Sequence, residues 1–139
     1  MGHRAQLPAA VAAALAVILG EPVEHVRIIE QSWLVRLHGR ANATTRPRCI
    51  YLRGSAEAFF ANPGLMLHEY YHVLKQWEPR TLTRTRYLLE SVRRGYWRNR
   101  FEVEARAFAD AHAPSLHTLL SERRPAAASH QQGSKEAPA

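Results

Sequence analysis

Asn62-Pro63-Gly64-Leu65-Met66-Leu67-His68-Glu69-Tyr70-Tyr71-His72-Val73-Leu74-Lys75-Gln76-Trp77-Glu78-Pro79 reads as one bounded helix with a single polar arc. Asn62 supplies an N-cap and Pro63 suits the first helical position. Pro79 disfavours the helical conformation in Glu78 before it, so the helix is predicted over Pro63–Trp77. At about 100° per residue, His68, Glu69, His72, Lys75 and Gln76 share one arc with Leu65. Met66, Leu67, Tyr70, Tyr71, Val73, Leu74 and Trp77 cover nearly everything else, so the helix is expected to be buried around most of its circumference. A merely solvated arc would more commonly carry Lys, Glu and Arg than two aligned histidines.

His68 and His72, an i, i+4 pair, project from one face and can converge on a single tetrahedral metal ion. Glu69 sits one residue from the first histidine, beside the metal position without being a ligand. There a carboxylate can take a proton from zinc-bound water, as in the HExxH pattern. The expectation is a zinc-dependent hydrolase, with His68 and His72 binding Zn2+ and Glu69 as general base.

A catalytic zinc site takes three protein ligands and keeps an open position. Val73 to Arg80 contains neither histidine nor glycine, which excludes the longer metzincin pattern. The next candidates are Glu102 and Glu104, near the start of a second predicted helix, Asn99 to about His112. Ala105 and Ala109 flank Glu102, and Ala107 and Ala111 flank Glu104, so either face would let the helix approach a neighbour closely. Asn99 and Glu102 also have the spacing of a capping box, in which the glutamate satisfies the helix N-terminus.

HExxH followed by a downstream helix that supplies glutamate resembles the gluzincin-type zinc metallopeptidases. The run Phe101-Glu102-Val103-Glu104-Ala105 resembles the Glu-x-x-Ala-Asp signature of CAAX-prenyl-type and heat-shock membrane proteases. It looks closer still to small bacterial single-domain zincin-like proteins. The resemblance spans roughly Glu21 to Ala111 and is specific at the two ligand segments. It implies a zinc metallopeptidase acting on peptide or protein substrates, with Glu102 as third ligand and Glu104 as the alternative. One position departs from the pattern: the family's aspartate, which orients a ligating histidine, is Arg106 here. The resemblance also implies that the strand before the active helix, Cys49 to Arg53, forms the sheet edge above the cleft and binds an extended peptide. Spacing does not single out an oxyanion donor between Tyr87 and Tyr96.

The remaining sequence frames this helix. At 139 residues the chain has room for one domain, expected over 1–122, with an Ala-, Pro-, Ser- and Gln-rich tail over 123–139 expected to be disordered. Leu7 to Gly20 is too short an apolar run to span a bilayer; Pro8 and Gly20 punctuate it as a buried helix, with the apolar region of a secretion signal as the alternative. His25–Glu30 reads as a strand, Ser32–His38 as a helical turn, and Ala43–Thr45 with Cys49–Leu52 as a hairpin around Pro47. The fold class expected is α+β, a small and mostly antiparallel sheet packed by helices. Cys49 is the sole cysteine, which excludes an intrachain disulfide and suits a reducing, cytoplasmic compartment. A strand position makes it a small core residue.

The formal net charge is +7, and seven arginines lie between Arg80 and Arg100 against Glu90 alone. On the predicted helix Thr83–Gly95, Leu88, Leu89 and Val92, with Tyr96 beyond it, form one arc, read as the inward face, and the arginines form a cationic outer face. Such a face suits an anionic partner: nucleic acid, an acidic protein or a membrane surface. Tyr96-Trp97 beside arginines would serve base stacking or core packing. The rival reading is therefore a basic binding module with a structural or inactive zinc site. The two readings differ first in metal content and metal-dependent turnover.

Overall fold

A computed structural model describes the backbone of residues 2–38 and 41–132, and the side chains of 2–35 and 41–122. Strand β1 (His3–Ala5) leads into helix α1 (Ala9–Leu19), which Gly20 ends in the left-handed conformation (φ 74°) with its N–H on Ala16 O at 2.8 Å. An L side chain is strained at that φ, which explains glycine at this helix end. Strand β2 (Arg27–Glu30), a 3-10 turn (Trp33–His38), and strands β3 (Ala43–Arg46) and β4 (Cys49–Leu52) follow. Helices α2 (Ala56–Phe60) and α3 (Pro63–Tyr71), a π-helical segment (His72–Trp77), α4 (Arg84–Arg98) and α5 (Arg100–Gln132) complete the described residues.

The architecture is a small α+β fold around a mixed sheet of order β1-β2-β4-β3. Strands β1 with β2 and β3 with β4 pair antiparallel, whereas β2 and β4 run parallel with Ile28 opposite Ile50. The Ala43–Arg46 and Cys49–Leu52 segments do form the expected hairpin, turned through Arg48 at φ 60°. Its place in the sheet differs from expectation, however. Strand β4 lies between β2 and β3, so Cys49 to Leu52 has no free edge, and β3 is the edge strand. The parallel β2–β4 pairing causes this: the hairpin returns its second strand, not its first, to the sheet interior.

Helix α3 lies in the core. Met66, Leu67, Tyr70 and Val73 are fully buried, in one cluster with Leu15 of α1, Ile28, Ile50 and Leu52 of the sheet, and Ala109 and Leu116 of α5. Burying aliphatic side chains of this size stabilises the fold by about 1.5–3 kcal/mol each. Ala105 (0% exposed) and Ala109 are buried, while Ala107 and Ala111 face solvent, so α5 presents the Glu102 side of its small-residue pattern to the core. Cys49 is a buried free thiol in β4, as a core residue should be.

One other expectation needs correcting. The apolar arc of α4 faces solvent: Leu88 is 65% exposed and Val92 77% exposed, and the helix has no buried residue. Its inner side is polar instead. Asn99, fully buried, donates through Nδ2 to Tyr87 O at 3.1 Å and to Ser91 Oγ at 3.0 Å, and so rolls the polar side inward. Gly95 (φ 77°) then breaks the helix before Tyr96 and Trp97, which are also exposed. Helix α5 runs on to Gln132. The backbone of 123–132 is helical, where Ala126 to Ala128 favour that conformation, and 133–139 lie outside the described residues.

Asn99 joins α4 to α5 and also caps α5, its Oδ1 accepting from Phe101 N at 2.9 Å. Replacing it removes a cap and orphans buried backbone groups. Asn99→Ala is expected to lower unfolding free energy by about 1–3 kcal/mol. Urea unfolding followed by circular dichroism measures this, and an unchanged midpoint would show that Asn99 does not hold the two helices.

Candidate metal centre

Two helix starts position the cluster. Asn62 Oδ1 accepts from Leu65 N at 3.1 Å, and Pro63 opens α3, which fixes the phase of His68 and His72. The cap on Asn99 fixes the phase of α5. Its geometry also decides the capping-box question. Asn99 N donates to Tyr96 O, and the Glu102 carboxylate points away from the helix end toward the two histidines.

His68, His72 and Glu102 are the group among the described residues whose ligand atoms gather closely enough to hold a metal ion. Their closest atoms form a triangle. His68 Nε2 lies 3.0 Å from Glu102 Oε2, His72 Nε2 lies 3.3 Å from the same oxygen, and the two nitrogens are 3.1 Å apart. Hydrogen bonding cannot satisfy all three edges, because each ring nitrogen offers one proton or one lone pair in its ring plane. A cation capping the triangle satisfies every edge at once. Tetrahedral zinc with bonds of about 2.0–2.2 Å would separate ligand atoms by roughly 3.3–3.6 Å, within a few tenths of these edges. Two imidazoles and a carboxylate are also a zinc donor set.

A second ring of side chains fixes the first. The chain widens into π-helical turns at His72, with Glu78 N bonded to Val73 O, five residues back. In this segment Gln76 Oε1 comes within 2.6 Å of His72 Nδ1. The Gln76 amide nitrogen donates to Phe101 O at 3.0 Å and Glu104 Oε2 at 3.1 Å, which leaves its oxygen to accept from His72. That bond holds the imidazole proton on Nδ1 and leaves a lone pair on Nε2 for a metal. Tyr87 donates to Glu102 Oε1 at 2.8 Å and so leaves Oε2 to face the histidines. Glu104 is exposed and reaches the centre only through Gln76. Arg106, at the position where the resembled signature has aspartate, stacks on Trp97 at 3.8 Å and donates to Trp97 O. Gln76, and not the residue at position 106, is the side chain hydrogen-bonded to His72 Nδ1.

Burial raises the Glu69 carboxyl above the usual range, although the neighbouring histidines work against this. A raised carboxyl is a stronger base, as proton abstraction near neutral pH requires. For Glu102 burial pushes the same way, but the hydrogen bonds and charges of His68 and His72 outweigh it and hold the group well below the usual range. Burial opposes protonation of His72, yet the hydrogen bond and charge of Glu102, with Glu69, raise it overall. Two carboxylates within one site thus have opposite tendencies, one toward the proton and one toward the cation.

His68, Glu69, His72 and Glu102 line a cleft of about 340 Å³. Its walls are Ala43 to Arg46 of β3, Trp77, Arg84, Tyr87 and Tyr96. Trp77 Nε1 donates to Thr45 Oγ1 at 3.1 Å and ties the end of the π-helical segment to the edge strand. The sequence reading placed Gln76 on the correct arc without giving it a role. Tyr87 and Tyr96 were candidates whose place no spacing rule could fix, because Gly95 breaks the helix between them.

Zinc titration against a competing chelator separates these roles. Glu102→Ala, His68→Ala and His72→Ala are each expected to abolish stoichiometric binding. Gln76→Ala and Glu104→Ala should weaken it by about 10–100-fold. Full occupancy in Glu102→Ala with loss in Glu104→Ala would reverse the ligand assignment. No protein-family model, curated protein or solved structure matches the chain.

Proposed function

We propose that the chain is a zinc-dependent hydrolase, a gluzincin-like metallopeptidase that cleaves an extended peptide lying along β3. The observation that carries this reading is the His68–His72–Glu102 triangle beside the buried carboxyl of Glu69, at one cleft. A structural zinc site is closed by a fourth protein ligand. Among the described residues this group has three, which favours the catalytic reading over a binding module with a structural metal.

A bound zinc would supply Lewis acidity toward the scissile carbonyl and the attacking water. His68, His72 and Glu102 hold it, and Gln76 and Tyr87 keep His72 and Glu102 in the ligating orientation. Glu69 takes the proton from the attacking water and then delivers it to the leaving amine. Partial burial of its phenol and the charge of Glu102 push Tyr96, an otherwise exposed residue, up to about 12, so it stays protonated at neutral pH. From the cleft wall it is our candidate donor to the developing oxyanion. Arg53 N bonds Asn42 O, so by alternation Ala43 and Thr45 turn backbone groups outward from the sheet. A substrate strand can pair with those groups, adding one strand to the edge beside the metal centre.

Glu69→Gln keeps shape and hydrogen bonding but removes basicity. It should retain stoichiometric zinc and lose chelator-sensitive cleavage of an unfolded protein by several orders of magnitude. Wild-type protein loaded with zinc that turns over no member of a peptide library would sink the proposal. Tyr96→Phe should lower kcat by about 100–1,000-fold with little change in KM. Tyr87→Phe should instead weaken zinc binding, so the two variants separate oxyanion stabilisation from ligand orientation.

A further inference from the structure

Helix α4 is amphipathic the wrong way round for a core helix. At about 100° per residue, Leu88, Leu89 and Val92 lie within one arc of about 100°. All three are exposed, at 65%, 53% and 77%. Arg84 borders that arc on one side and Arg93 and Arg86 on the other, all exposed. Beyond Gly95 the chain adds Tyr96, 56% exposed, Trp97, 69% exposed, and Arg98. An apolar stripe flanked by arginine, with tyrosine and tryptophan at its end, is the composition of a helix that lies in a lipid–water interface. Among the described residues no helix is long and apolar enough to cross a membrane, so this surface would rest on a bilayer rather than span it.

We propose that α4 docks the protein on the surface of an anionic lipid bilayer. Leu88, Leu89 and Val92 enter the boundary of the acyl region, and the flanking arginines meet the headgroup charges. Charge complementarity selects this occupant over others. A second copy packed isologously would set one arginine-rich flank against another, in a chain whose net charge is already +7. A nucleic acid would supply phosphates and rings for Trp97 but nothing apolar for the three aliphatic side chains. An anionic bilayer supplies both parts, and arginine stems can lie along its apolar boundary while their charged ends stay in water. Arg84 and Tyr87 of the same helix, and Tyr96 just after it, line the cleft, so docking would hold the cleft beside the bilayer. Substrate segments close to a membrane would then be favoured. That last consequence rests on the hydrolase reading, whereas docking itself does not.

The test is co-sedimentation of the whole chain carrying Glu69→Gln with phosphatidylcholine vesicles, with and without 30 mol% phosphatidylserine added, at about 0.1 M salt where surface charge is still felt. Partitioning is expected to rise at least about tenfold with phosphatidylserine. The tryptophan emission should shift to the blue as Trp97 leaves water. The triple variant Leu88→Gln/Leu89→Gln/Val92→Gln changes only exposed positions, and circular dichroism checks that it remains folded. It should lose at least about tenfold in partitioning. Arg93→Gln/Arg98→Gln should lose about 25-fold on anionic vesicles, at about fivefold per basic residue, and almost nothing on neutral ones. Absence of partitioning by the Glu69→Gln chain would overturn the proposal, as would full retention by the triple variant made in it. A wild-type dimer that the triple variant dissociates would assign the face to a second copy. Binding to single-stranded polynucleotide that competes equally with vesicles would assign it to nucleic acid. Either result also overturns docking on lipid, and neither depends on whether the centre hydrolyses anything.

Discussion

Everything at the centre depends on how closely α5 approaches α3. Glu102 can reach His68 and His72 only because Ala105 and Ala109 place little more than backbone between the two helices. That approach draws a carboxylate into a region where it is 5% exposed. A charged group there is costly unless compensated, and the compensation comes from two imidazoles and the Tyr87 hydroxyl. The same contact brings Phe101 O and Glu104 within reach of Gln76, which then orients His72. Packing and ligand geometry are therefore one constraint. A larger residue at Ala105 would disturb the core and spread the donor triangle together.

The parts of the fold readable from sequence are those in which neighbouring residues specify one conformation. Gly20 ends α1, Asn62-Pro63 starts α3, and Ala43–Arg46 with Cys49–Leu52 form a hairpin, because capping, proline and alternation are local effects. Strand order is not local. Nothing within Cys49–Leu52 reveals that β2 will pair with it in parallel and shut it inside the sheet. The orientation of α4 is not local either. Hydrophobic periodicity identifies an arc but assumes that the arc turns inward, and here Asn99 binds the opposite side.

At the site, the HExxH spacing locates His68, Glu69 and His72 because a helix makes that geometry inevitable. Which of Glu102 and Glu104 lies beside the histidines is decided only by the three-dimensional packing. The buried positions of Ala105 and Ala109, against the exposed positions of Ala107 and Ala111, show which side of α5 faces α3. Gln76 lay beyond sequence reasoning for a different reason. It meets His72 in a π-helical segment, and no local pattern announced the change of helical pitch there.

The open side of β3 has a cost as well as a use. Unpaired backbone donors and acceptors on an edge strand form a template for any extended chain, including another copy of this one. Among the described residues, no further strand pairs with that side. Arg46 at the strand's end, Arg48 in the turn and a net charge of +7 set like charges against one another when two copies approach there. Electrostatic protection of this kind has a range of about 10 Å at 0.1 M salt and only about 3 Å at 1 M. The tendency of two copies to pair along this edge strand is thus expected to rise with ionic strength.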